Sequence, residues 1–239
     1  MKVKNRLLDT DLIIYQDDDW FKFSLDSVLL VRFVTLNLSS KNIIDLCCGN
    51  APIPMFLSFI TKANIFGIEL QECIYNLGFK SIKENKLEDR INLKCGDIKN
   101  IDKYYDSESF DTVICNPPYF NTSSDKHLNN NDIKAIARHE IMLDLDGLFK
   151  TVFYLLKNGG NFAMIHRTER LIEILDILKK YRLEPKKIQF IYPKNNKNSD
   201  LFMIEVKKNG NSGLKVLPSI IVHNDDGSYT DSVKEMLRF

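Results

Sequence analysis

A mostly parallel α/β sheet with helices on both faces is the fold this sequence predicts, and three features of the chain predict it. Short apolar runs such as Ile43–Leu46 and Thr112–Cys115 are continuous rather than alternating, the pattern of strands buried on both faces. Longer stretches of helical period separate them, as crossovers between parallel strands require. The last two runs, Ile188–Tyr192 and Leu201–Val206, are joined instead by a short loop of Pro, Lys and Asn, so that pair is expected to be antiparallel at the sheet edge.

In chain order, Ile43–Leu46 reads as the first buried strand, Pro52–Thr61 as a helix, Ile65–Glu69 as the second strand and Glu72–Asn85 as the second helix. Ile91–Cys95 and Thr112–Cys115 follow as strands. Helical stretches then reach Leu156, a Gly159-Gly160 pair breaks the pattern, and Phe162–Ile165 resumes as a strand. A helix over Thr168–Lys180 precedes the final pair. The asparagine-rich stretch Asn121–Asp132 is the one sizeable loop, and loops of that length commonly act as lids.

With 239 residues, 44% of them hydrophobic, the chain can bury one substantial core, expected as one large domain or one plus a small appendage. A net charge of +1 excludes a globally basic nucleic-acid binder, so any RNA contact must come from local clusters. No apolar run is long enough to span a bilayer and the opening segment lacks an apolar signal core, so no membrane is expected and the cytosol is. The cysteines, at 47, 48, 73, 95 and 115, show no CxxC pairing, and the four histidines show no ligand spacing; reduced thiols and no metal are expected.

The chemistry gathers at the strand ends. The first strand runs into Asp45-Leu46-Cys47-Cys48-Gly49-Asn50-Ala51-Pro52, a turn of small residues opening a helix, where a nucleotide-like ligand can approach the backbone. Glu69, about twenty residues on, ends the second strand, where a carboxylate can accept both hydroxyls of a ribose; these two features alone also suit a dinucleotide. After the third strand, Asp97 can hold an adenine amine with Ile98 covering the ring, or can simply cap the next helix. The fourth ends in Asn116-Pro117-Pro118-Tyr119. Prolines restrict this turn and leave carbonyls without local partners. The Asn116 oxygen and the Pro117 carbonyl can then accept both protons of one NH2 group while Tyr119 stacks on its ring. Two such bonds would draw the amine lone pair out of conjugation and aim it at an electrophile, which is catalysis by positioning. The plainer reading is a strand-ending turn with a buried tyrosine.

This order of elements resembles the class I S-adenosylmethionine-dependent methyltransferases, and Asn116–Tyr119 matches the Asn-Pro-Pro-Tyr signature of those that methylate planar nitrogens. The resemblance implies a Rossmann-like, seven-stranded sheet with an antiparallel final pair and S-adenosylmethionine as cofactor. It places Asp45, Cys47, Gly49 and Asn50 along the methionine part, Glu69 with Leu70 at the ribose, and Asp97 with Ile98 at the adenine. Asn116, Pro117 and Tyr119 become the catalytic set, with Asn116 also bordering the cofactor. One departure is plain: the family loop usually carries three glycines, and here the positions hold Cys47, Gly49 and Ala51. Because β-carbons disfavour positive φ, the loop is expected either to keep negative φ at Cys47 and Ala51 or to bind more weakly.

Over almost the whole chain the sequence further resembles bacterial enzymes that methylate N6 of the adenine 3′ of the anticodon in a valine tRNA. The matching stretches are Phe21–Leu30, Asn116–Phe120, Ala137–Glu140, Ile165–Arg167 with Arg170, and Ile220–Tyr229. That likeness implies tRNA as partner and packs the stretch around Asp26 and Ser27, within an N-terminal segment of residues 1–40, over the cofactor site of a domain at 41–239. Phe120, Arg138, Arg167 and Lys197 are the expected substrate contacts, the two arginines because they follow apolar segments on the site side. Lys179, Lys180, Arg182, Lys186, Lys187, Lys194, Lys197, Lys207 and Lys208, with Lys2, Lys4 and Arg6, are candidate phosphate contacts, although lysine-rich surfaces are commonly only solvated. Three alternatives stand beside it: a protein glutamine N5-methyltransferase, which would carry a longer helical region before the first strand; a DNA adenine methyltransferase, which would need a separate target-recognition region; and a non-catalytic RNA-binding protein of the same fold.

Overall fold

A computed structural model describes residues 2–17, 24–117 and 144–239. Strands β1 (Lys2–Arg6) and β2 (Ile13–Asp17) form an antiparallel hairpin, followed by helix α1 (Leu25–Phe33). The main sheet then builds from β3 (Asn42–Leu46), α2 (Pro52–Ile60), β4 (Asn64–Glu69), α3 (Glu72–Glu84), β5 (Ile91–Cys95), a 3-10 helix (Ile98–Lys103) and β6 (Phe110–Cys115). Helix α4 (Leu145–Leu155) leads to β7 (Leu156–Arg167), α5 (Leu171–Lys180), β8 (Leu183–Lys194) and β9 (Leu201–Lys208). Two short strands, β10 (Lys215–Val216) and β11 (Ile220–His223), and helix α6 (Asp231–Met236) complete the elements.

The sheet order is β10-β8-β9-β7-β6-β3-β4-β5, with β11 also on β8. Parallel pairing runs from β5 to β7, and β9 lies antiparallel to both β7 and β8, as the short Pro, Lys and Asn connection demands. Among the described residues the main sheet has nine strands rather than the expected seven, because β10 and β11 add to the outer edge of β8. Segments of two and four residues carry too little periodicity to be read beforehand. The Gly159-Gly160 pair also differs from expectation. Strand β7 continues through it, with Gly159 at φ +74° and a shifted register against β6, so the glycines mark an irregularity within a strand.

Alternating residues of the central strands fill two cores. Ile43, Ile114, Ile165 and Met203 face the side covered by α1, α2 and α6, where Leu29, Phe56 and Val233 are buried; Ile44, Val113, Met164 and Phe202 face α4 and α5, with Leu148, Phe149 and Leu178. The hairpin stands on α3: the Ile13 and Tyr15 amides donate to Asn85 Oδ1 and Ser81 Oγ at 2.8 and 2.9 Å, and Asn85 Nδ2 returns a bond to the Ile13 carbonyl. All five cysteines are free thiols. No helix among the described residues is long and apolar enough to cross a membrane.

Candidate active site

The loops leaving β3 to β6 gather at one end of the sheet, and the crevice between β3 and β6 is its topological switch point, the place where open α/β sheets bind ligands. Leu46 and Cys115 are register partners there, so the turns that follow them start one strand spacing apart.

The β3 turn is left-handed at all three positions where the glycine loop was expected: Cys47 has φ +60°, Gly49 +57° and Ala51 +69°. The expectation of negative φ at Cys47 and Ala51 is overturned. Hydrogen bonds impose the geometry: the Cys48 amide donates to the Ile68 carbonyl at 3.0 Å, Ala51 to Cys48 at 2.9 Å and Met55 to Ala51 at 3.1 Å. Each β-carbon held there costs about 1–2 kcal/mol. Around an ideal Cβ built on Gly49 no atom of the described residues lies within 4 Å, so among them open space stands over the middle of the turn.

Two buried carboxylates lie at the strands that meet this turn, Asp45 on β3 just ahead of it and Glu69 at the end of β4. Asp45 is buried, neither oxygen has a hydrogen-bond partner among the described residues, and burial, then the Glu69 charge, raise its carboxyl well above the usual range. Glu69 is buried too, with Oε2 accepting from the Gly49 amide and Oε1 from the Gln71 amide, both at 2.9 Å. Burial pushes its carboxyl up while those amides pull it down. A carboxylate retains further lone pairs beyond two such bonds. At the β5 end Asp97 Oδ1 accepts from Lys99 N at 2.9 Å, so it caps the 3-10 helix; Ile98 is buried and Leu70 is exposed. Asn50 is committed differently, its amide donating to the Tyr15 carbonyl at 2.9 Å and tying the hairpin to the loop.

Asn116 follows β6, with Pro117 buried beside it. Its Nδ2 donates to Ser27 Oγ on α1 at 3.3 Å, which joins two residues singled out for different roles. Asp26 lies on the first turn of the same helix, half-buried. Beneath, burial and a hydrogen bond with Cys47 keep the Cys115 thiol protonated. The site thus brings together Asp45, Cys47, Gly49, Asn50, Glu69, Asn116, Pro117 and Ser27. Tyr119, Phe120, Arg138 and the expected lid at 121–132 lie outside the described residues.

Over residues 37–209 the sequence matches the family described as a methyltransferase domain. The chain belongs to that family. Among curated relatives, a tRNA1(Val) (adenine(37)-N6)-methyltransferase of Aliivibrio salmonicida is 25% identical over 88% of this chain and 87% of its own length. One of the same name from Cytophaga hutchinsonii is 22% identical over 94% and 92%. Among solved structures, a predicted O-methyltransferase from Agrobacterium tumefaciens has a TM-score of 0.71 at 18% identity, covering 89% of this chain and 95% of that one. TYW2 of P. horikoshii, in complex with MeSAdo, gives 0.60 at 12% identity over 87% and 72%. These structures share the Rossmann-like fold.

On this methyltransferase domain the basic residues divide between the two ends of the sheet. Arg167 closes β7, Lys194 closes β8 and donates to the Asp225 carbonyl at 3.0 Å, and the exposed Lys197 follows, all at the site end. Lys179, Lys180, Arg182, Lys186, Lys207 and Lys208 stand at the opposite end, because α5 runs back from the site and β9 ends away from it. Several are also engaged: Lys180 pairs with Asp146 at 2.5 Å, Lys186 with the Asn211 carbonyl, and buried Lys208 with Glu108 at 2.9 Å. Lys187, in the same run, pairs with Glu205 at 3.3 Å, and Lys4 with Glu84 at 2.6 Å. The expected basic cluster is therefore not one surface. Sequence reasoning also missed Tyr15 and Gln71, which enter the site through main-chain atoms that no residue pattern marks.

Proposed function

We propose that this protein transfers a methyl group from S-adenosylmethionine to N6 of an adenine in tRNA, the adenine 3′ of the anticodon in tRNA1(Val). One observation carries the reading: Asn116-Pro117 stands at the end of β6, beside a β3 turn where, among the described residues, open space over Gly49 accompanies a buried Asp45 without a hydrogen bond. A buried carboxylate without a hydrogen bond is costly unless a ligand completes it. The ammonium and sulfonium cations of the cofactor suit it, and Glu69, with lone pairs to spare, suits the ribose. The relatives' names, over most of the chain, supply the substrate class.

When bound, the cofactor supplies an electrophilic methyl group. The protein's part is orientation. Asn116 Oδ1 accepts one proton of the target NH2 and the Pro117 carbonyl the other, so the lone pair leaves conjugation and points across the crevice. No general base is required, because a methylated amino-purine cation is strongly acidic and its proton passes to water. The target base leaves its stack at a cost of a few kcal/mol, reduced in a loop. Tyr119 and Phe120 are assigned to stack on it, Arg138, Arg167 and Lys197 to phosphates, and residues 1–40 to one wall of the site. Asp97 with Ile98, Leu70 and Asp26 complete the cofactor set. The reading puts the enzyme in the cytosol with its substrate.

The test is methyl transfer from labelled S-adenosylmethionine to total tRNA lacking the modification, followed by nucleoside mass spectrometry. N6-methyladenosine is the expected product. Asn116→Ala should abolish transfer while calorimetry still shows cofactor binding. Cofactor binding without incorporation into tRNA would redirect the search to a protein glutamine or to other nucleic acids.

A further inference from the structure

An asparagine amide has an acceptor end and a donor end of nearly the same shape. Only the acceptor suits a target amine; turned over, Asn116 would offer its own NH2 to the NH2 it has to hold. In the structure Asn116 Nδ2 donates to Ser27 Oγ at 3.3 Å, a contact across 89 residues of sequence in which the hydroxyl, able to donate or accept, serves as acceptor. Ser27 is 4% exposed and sits on α1, a helix packed against α2 and β7. Arg32 at the other end of that helix donates to the Met236 and Arg238 carbonyls, and its guanidinium lies 3.9 Å from the Phe239 ring centre. The hydroxyl is therefore carried on an anchored helix rather than on a loop.

We infer that Ser27 is a positioning residue: by taking the Asn116 amide nitrogen, its hydroxyl oxygen turns Oδ1 toward the target nitrogen. This rests on the nitrogen-methylation reading above and gives Ser27 a different task from the cofactor contact implied by family resemblance. Bound cofactor need not touch the hydroxyl for it to matter. Its removal would act on the rate at saturation and spare cofactor affinity, because a misturned amide still leaves the β3 turn, Asp45 and Glu69 intact.

The experiment compares wild type, Ser27→Ala and Ser27→Thr in three measurements: kcat and KM for tRNA methylation, cofactor Kd by calorimetry, and proton exchange of the Asn116 side-chain amide by NMR. The amide signal is assigned by its loss in Asn116→Ala. In wild type one Nδ2 proton should be protected. Ser27→Ala should lose about tenfold in kcat, the worth of one net hydrogen bond, with KM and Kd within twofold and the protection gone. Ser27→Thr should restore rate and protection together. The inference is overturned if both Nδ2 protons of wild type exchange freely, if Ser27→Ala leaves the protection unchanged, or if its rate loss follows a weaker cofactor Kd. Should wild type fail to methylate tRNA, the substrate reading falls and the amide signal alone decides: protection lost in Ser27→Ala upholds the role of Ser27, and protection kept removes it.

Discussion

At the residue scale the site is a set of local costs that a ligand can relieve. Gly49 holds φ +57° beneath open space, so Gly49→Ala adds strain without a clash. It should lower stability by about 1 kcal/mol in urea unfolding, and reduce cofactor affinity at least tenfold in calorimetry because the added methyl occupies the ligand's space. Asp45 tests the electrostatics. Its carboxyl is raised in the folded protein by burial and by Glu69, so the contribution of this group to stability is intact below the ordinary aspartate pKa and is lost as pH rises through the folded one. Asp45→Asn should therefore stabilise the free protein by about 1 kcal/mol or more at pH 8. The gain should vanish near pH 4, while cofactor binding is lost at both. A thermal midpoint that did not rise at pH 8 would show that the folded protein holds the Asp45 charge without cost.

At the scale of elements, long buried runs were legible and polar or very short ones were not. Strand β5 falls at Ile91–Cys95 as read, and β3, β4, α2 and α3 fall within one residue of their expected ends, because a two-sided sheet demands continuous apolar residues. Strand β1 was invisible since its five residues include one aliphatic, Val3, and β2 hides two polar side chains, Gln16 and Asp17, in its buried pattern. What holds that hairpin is α3. Asn85→Ala would remove both bonds to Ile13 and the bond to the Ser81 carbonyl, and should cost about 2 kcal/mol in unfolding. Hydrogen exchange should show residues 2–17 opening ahead of the sheet. The same opening would loosen Asn50 through Tyr15, so cofactor affinity should fall alongside.

At the scale of the whole molecule, the candidate site was legible as carboxylates and turns at strand ends, whereas the RNA-facing surface was not. Charge can be counted along a sequence, but which end of a sheet it reaches depends on strand direction. Lys194→Glu with Lys197→Glu, at the site end, should raise KM for tRNA about tenfold or more and flatten its salt dependence. Lys179→Glu with Lys186→Glu, at the far end, should leave KM within twofold. Equal effects from both pairs would show a substrate wrapped around the whole domain. One further consequence follows from how α1 is held. Its anchors are the carbonyls of Met236 and Arg238, yet the asparagine that Ser27 reaches is residue 116. On the ribosome, about 120 residues and roughly ten seconds separate the two at ordinary elongation rates. Strands β7 to β9 are made within that interval, so a nascent chain completes β9 only about 30 residues, a few seconds, before the carbonyls that anchor α1 are made. The crevice between β3 and β6 is thus in place before the helix carrying Ser27 is fixed at its far end.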